Sequence, residues 1–210
     1  MLTLTHPPKI KISLRGLAFA YLAAVFFASF PWIGEREAMA IEEPTYSVVE
    51  SGDDFEIRNY DATVVAQIKS QGEFESAGNQ GFRALADYIF GNNDQKMKIA
   101  MTAPVKMSET NSENEYEIQF VIPRELKKDS LPRPQNSDIQ MLSIPKKLMA
   151  VLRYSGTWSK QRFLEHHKIL VHQIKARGYE PISRAIFARY NPPFIPWFLR
   201  RNEVWIEVKK

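Results

Sequence analysis

The chain contains no cysteine. That single count excludes disulfides, thiolate metal sites, thiol nucleophiles and c-type haem attachment. Histidine is scarce: there are four, with His6 near the start and His166, His167 and His172 in one segment. No His-x-x-x-His or His-Glu-x-x-His pair occurs, so a zinc site has little support. The Gly-x-Ser-x-Gly elbow of serine hydrolases is missing, and no pair of carboxylates stands out as acid and base. Gly91-Asn92-Asn93 is a helix exit rather than a phosphate cradle. The residues therefore name no nucleophile, base or metal.

An excess of one charge is also lacking once the charges are located. The formal net charge is +4 and the pI 9.2. Residues 1–40 hold Lys9, Lys11, Arg15 and Arg36 against Glu35 and Glu37; the remainder carries 24 basic and 22 acidic residues. Lys127-Lys128 and Lys146-Lys147 lie in loops without the aromatic interleaving of nucleic-acid readers, so no nucleic-acid partner is expected. With 44% hydrophobic and 25% charged residues in 210, the composition is that of one globular domain.

The one long apolar run is N-terminal. Gly16 to Phe30 is apolar throughout, follows Lys9, Lys11 and Arg15, and is closed by Pro31 and the small-x-small pattern Ala38-Met39-Ala40. This is the order of an export signal. Gly16 to Gly34 is also just long enough to span a bilayer, so an uncleaved anchor with membrane association through residues 16–34 is the alternative. Residues 1–40 are thus read as export signal or N-terminal membrane anchor. Residues 41–210 are read as the folded domain, exported to the periplasm or another extracytoplasmic space, or anchored facing it.

From Thr45 the apolar period is two: Tyr46 and Val48, then Phe55, Ile57 and Tyr60, then Val64, Ala66 and Ile68. After Gly72 the period lengthens. Phe74, Gly78, Gly81, Leu85 and Ile89 predict the buried face of a helix ending at Gly91. Strands resume over Ala103–Met107 and Tyr116–Ile122, and residues 123–138 read as an exposed connection. The second half repeats the first. Leu148–Tyr154 reads as a strand, Gly156-Thr157-Trp158 matches the Gly72-Glu73-Phe74 corner, a helix spans about Ser159–Gly178, and Arg184–Tyr190 and Glu203–Val208 close the chain. The expectation is an α+β fold: a duplicated β-α-β-β unit placing two helices on one antiparallel sheet or open barrel.

Two apolar features remain. Phe82, Ala86 and Phe90 recur every four residues in a stripe off the helix's core face, with Asn79 and Arg83 beside it. Pro192-Pro193-Phe194-Ile195-Pro196-Trp197-Phe198-Leu199 is a proline-stiffened greasy loop followed by Arg200-Arg201. Together they suit a flat apolar ligand with carboxylates at its rim. The loop could equally complete the core, or enter a membrane interface. On the second helix, His167 shares the apolar face of Phe163, Leu170 and Ile174, which predicts packing rather than haem ligation.

Four motifs in order resemble the SOUL haem-binding family: Phe55-Glu56-Ile57-Arg58-Asn59-Tyr60, Lys96 through Val105, Tyr190-Asn191-Pro192-Pro193 and Arg200-Arg201-Asn202-Glu203-Val204-Trp205. The resemblance covers about residues 44–209. It implies a distorted antiparallel β-barrel flanked by two helices in a pseudo-twofold repeat. It also implies reversible, non-catalytic binding of haem or another tetrapyrrole as carrier, scavenger or buffer. The ligand positions carried over are Asn79, Phe82, Arg83 and Ala86 on the helix and Phe194, Ile195 and Trp197 on the loop. Arg83, Arg200 or Arg201 would be the propionate partners. The chain departs from one branch at Asn59, where that branch has a proposed axial histidine, and from another at Asn79, where that branch has a basic residue. An interaction module docking through 194–199, or an enzyme acting on a tetrapyrrole or lipid-like substrate, are the alternative functions.

Overall fold

Each stretch of period-two alternation becomes a strand in the computed structural model, which describes residues 41–210. The expected export signal or anchor lies outside the described residues. In chain order the elements are β1 (Tyr46–Ser51), β2 (Phe55–Tyr60), β3 (Thr63–Gln71), α1 (Phe74–Ile89), β4 (Val105–Glu109) and β5 (Glu115–Val121). They continue as β6 (Gln140–Ile144), β7 (Lys147–Tyr154), α2 (Lys160–Ala176), β8 (Glu180–Pro181), β9 (Ile186–Arg189) and β10 (Asn202–Lys209). Among the described residues, no helix is long and apolar enough to cross a membrane.

All ten strands join one antiparallel, curled sheet in the order β1-β2-β7-β10-β9-β4-β5-β3-β6, with β8 against β10. The distorted barrel flanked by two helices is therefore present, and the duplication shows in its wiring. One repeat is β3-α1-β4-β5 and the other β7-α2-β9-β10, meeting where β4 pairs β9. The strand preceding each repeat is exchanged: β2 pairs β7, and β6 pairs β3. The two corners match in detail. Gly72 has φ 132° and Gly156 φ 134°, a region open to glycine and costly for other residues.

Alternation sorts the strands into two faces. Toward the helices point Phe55, Ile57, Ile68, Met107, Ile118, Phe187, Val204 and Ile206, all buried. Burying each large apolar side chain contributes roughly 1.5–3 kcal/mol. Phe74 at the start of α1 stacks on Phe163 of α2 at 5.8 Å and on Phe187 at 5.6 Å, so one ring joins both helices to the sheet. Residues 123–138 are mostly exposed, as expected, although Pro134 forms a bridge with the buried Asn93.

The other face carries a small apolar cluster of Tyr60, Met149, Val151, Ala188 and Trp205 around a buried carboxylate. Glu203 is completely enclosed. Its Oε2 accepts from Arg58 Nη1 at 3.0 Å, Tyr190 Oη at 2.6 Å and Trp205 Nε1 at 2.7 Å. Its Oε1 accepts from Arg201 Nε at 3.0 Å and Nη2 at 2.9 Å, and from Arg58 Nη2 at 3.3 Å. Burial alone would raise the Glu203 pKa, but the two guanidiniums and the Tyr190 and Arg58 hydrogen bonds hold it below the ordinary value.

Glu203→Gln leaves two buried guanidiniums short of counter-charge, and urea unfolding at neutral pH is expected to show a loss on the order of 3–5 kcal/mol. A depressed carboxylate stabilises the native state above its unfolded pKa, and that contribution disappears as pH falls through the folded pKa. The gap between wild type and variant should therefore narrow below about pH 4. A gap independent of pH would contradict the role assigned to the charge.

Candidate functional site

The loop from Pro192 to Arg201 is held by its own backbone and by one arginine. Ile195 N bonds Pro192 O, Leu199 N bonds Pro196 O, and Gly156 N of the second corner bonds Trp197 O at 3.0 Å. Arg200 donates from Nε to Ile195 O and from Nη2 to Pro193 O, both at 2.7 Å. The loop does not complete the core, which corrects that alternative. Phe194 is 80% exposed, and Trp197, Phe198 and Leu199 are more than half exposed. So contiguous an apolar patch on a stiffened loop is the mark of a binding surface.

Beside the loop lies an open cleft of about 270 Å³, whose lining includes Phe74, Asn79, Trp158, Phe187, Arg189 and Arg200. One wall is Trp158, the counterpart of Phe74 in the duplicated corner. The indole is fixed by its Nε1 donating to Asn202 Oδ1 at 2.9 Å, while Asn202 Nδ2 donates to Gly156 O. Two guanidiniums flank that ring, Arg200 at 4.3 Å and Arg189 at 5.2 Å from its centre, within cation–π range. Arg189 has no ion pair or side-chain hydrogen bond among the described residues, and burial lowers its pKa to about 10.

The sequence-predicted residues separate. Asn79 and Arg200 meet in the cleft. Phe194 and Trp197 stand exposed on the loop, and Ile195 is half-buried. Arg83 is exposed one turn beyond Asn79. Phe82 is half-buried edge-on to Phe120 of β5 at 5.3 Å, outside the cleft. Ala86 is a correction: it is 8% exposed and belongs to the core, because α1 lies with that side rolled onto the sheet. Arg201 is another, since its guanidinium is spent on Glu203 and Glu43 and cannot serve a ligand at the cleft. Trp158 and Arg189 were missed. The corner match offered a signal for the first, and an arginine following Ile186-Phe187-Ala188 offered one for the second.

The histidines pack. His166 stacks on Tyr154 at 3.8 Å and bonds Arg162 O, and His167 lies parallel to Phe163, where burial lowers its pKa. Neither lines the cleft. Among the described residues no group of three His, Asp or Glu side chains is placed to hold a metal.

A second, smaller cavity of about 110 Å³ lies on the sheet face away from the helices, between Tyr60, Lys106, Met149, Lys147 and Trp205. Lys106 is 7% exposed and has no ion pair or side-chain hydrogen bond among the described residues; burial, with Lys147 nearby, lowers its pKa to about 8.

The profile of the SOUL heme-binding protein family matches residues 41–207. The chain belongs to that family. It is 32% identical over 182 residues to the mouse protein named Heme-binding protein 2, covering 81% of this chain and 87% of the relative. The human protein of the same name is 32% identical over 184 residues, covering 82% and 88%. In fold the chain is similar to the EcmrR C-terminal domain, with a TM-score of 0.59 at 11% identity over 79% of this chain and 98% of that one. It is also similar to a hydrolase from Listeria innocua, with a TM-score of 0.52 at 9% identity over 74% and 92%. At such identities these likenesses concern the fold alone. Within the SOUL motifs, Arg58, Tyr60, Tyr190, Arg201, Glu203 and Trp205 build the network around the buried carboxylate, not the cleft.

Lys106→Met removes a buried, unpaired amine and should raise stability at pH 7 by on the order of 2–3 kcal/mol. Because the folded pKa is depressed, the unfolded state binds more protons between about pH 8 and 10.5 and wild-type stability rises across that window. The advantage of the variant should shrink accordingly in denaturant melts taken from pH 7 to 10. An advantage that stays constant would show that the amine is not the cause.

Proposed function

We propose that the domain binds haem or a related tetrapyrrole reversibly and without transforming it, in the cleft between α1 and the 192–201 loop. The observation that carries this reading is the meeting of Asn79, Trp158 and Arg200 beside an exposed aromatic loop. The names of the relatives agree with it. A tetrapyrrole supplies a flat apolar face and two carboxylates; the chain offers an indole of fixed orientation, rigid aromatic side chains and guanidiniums. Removing ~200 Å² of ligand apolar area from water would contribute on the order of 5 kcal/mol before association costs. The proline-stiffened loop keeps the ordering cost of its side chains low. With no imidazole in the cleft, the fit is to the macrocycle and its carboxylates rather than to iron. Residues 1–40, read as signal or anchor, would place this activity outside the cytoplasm as a carrier, scavenger or buffer.

The exposure of Phe194, Trp197, Phe198 and Leu199 also favours a second reading, in which the loop docks on a membrane. Flotation with liposomes distinguishes it, since a tetrapyrrole carrier need not float.

Hemin titration followed at the Soret band should saturate at micromolar ligand. Trp197→Ala should weaken binding about thirtyfold, the equivalent of roughly 2 kcal/mol, with an unchanged melting temperature. His167→Ala should bind as wild type does. No saturable binding by a protein folded by circular dichroism would overturn the proposal, and a loss confined to His167→Ala would move the site to α2.

A further inference from the structure

The geometry points to Arg189 as the seat of a ligand carboxylate at the floor of the cleft, so that the site selects flat apolar molecules bearing a free acid. This inference rests on the reading of the cleft as the tetrapyrrole site and adds what the ligand must carry.

The argument begins with where β9 places the guanidinium. Arg189 shares a strand face with Phe187, which is 1% exposed, and is itself half-buried, with its guanidinium directed toward α1. The glycine at position 78 eases the close approach of the guanidinium to α1. A Cβ there would come within 3.3 Å of Arg189 Nη2 and 3.1 Å of Met107 Sδ. Nη2 is sealed from solvent and has no hydrogen-bond partner. No carboxylate among the described residues lies within ion-pair distance, although Glu75 stands on the cleft's lining. Arg189 is among the residues that line the cleft.

A guanidinium nitrogen sealed from water without a hydrogen-bond partner is costly, because the contact with the Trp158 ring replaces only part of the lost hydration. The chain has the means to satisfy buried charge, as the six contacts to Glu203 show, yet leaves this arginine unpaired. A planar carboxylate matches the guanidinium fork, and the pair would be charge-assisted and shielded from water. Trp158, already beside Arg189 and Arg200, would carry the apolar body of the same molecule. A tetrapyrrole with one propionate on Arg189 would lie with its ring toward the exposed loop.

The test compares protoporphyrin IX with its dimethyl ester, by quenching of tryptophan fluorescence, on wild type, Arg189→Met and Arg189→Lys. Wild type should prefer the free acid. Arg189→Met should lose affinity for the acid on the order of ten- to a hundredfold, leave the ester nearly unaffected, and melt at or above the wild-type temperature without ligand. Arg189→Lys should recover part of the acid preference. Equal affinity of wild type for acid and ester, or an acid preference surviving in Arg189→Met, would overturn the assignment of Arg189 while leaving the cleft as an apolar site. Wild type binding neither porphyrin would overturn the tetrapyrrole reading and this inference with it. A ligand-free Arg189→Met that melts well below wild type would show the arginine to be a structural element, not a waiting partner.

Discussion

The fold depends on one enclosed carboxylate. Glu203 sits on β10, the strand between β7 and β9, and takes donors from β2, from the segment after β9 and from β10 itself. Charge in an interior is least costly when it is matched and fully hydrogen-bonded, and at Glu203 both conditions are met on one residue. Tyr60 stacks on Trp205 at 4.7 Å, and Arg201 lies 3.6 Å from the centre of the Tyr190 ring, so aromatic contacts fix the same donors from the side. The sheet's unhelical face thus has a polar centre of defined geometry, in contrast to the apolar layer on the helical face.

That division assigns different work to the two faces. Arg58, Tyr60, Tyr190, Arg201, Glu203 and Trp205 serve the polar centre and hence the fold. The cleft lies on the helical face, beside the corner where the second repeat turns from β7 into α2. It is built from residues that the duplication does not keep alike: a tryptophan where the first corner has phenylalanine, and an arginine-anchored loop that precedes β10. The repeat supplies the frame, and departures from the repeat supply the cleft.

The elements were legible where periodicity and punctuation agreed. Both helices, both glycine corners and most strands fall where the pattern placed them. β6 was not, because Gln140–Ile144 is a short half-buried edge strand with little alternation to read, and β8 has only two residues. The exchange of β2 and β6 was beyond reach, since it depends on pairing between distant segments. Among the candidate residues, Asn79, Phe194 and Trp197 lie exposed. Ala86 was misplaced because alanine suits either side of a helix face. Glu203 and Arg189 were invisible for a common reason: a charged residue reads as surface until its three-dimensional neighbours are known.

The exchanged strands have a consequence for how the molecule comes into being. While only the first half of the chain exists, β2 has just β1 beside it, an exposed edge strand. Its inner neighbour β7 arrives some ninety residues later, and β7 in turn waits for β10, the last strand of the sheet in chain order. Each repeat pairs its own three strands, but the strand before each is lent to the other, and the carboxylate that organises one face lies on the last strand, β10. Pairings of such long sequence separation are slow to form and leave unpaired edges in the interim. The sheet is therefore completed only when β7 and β10 are both available, β7 to take up β2 and β10 to take up β7.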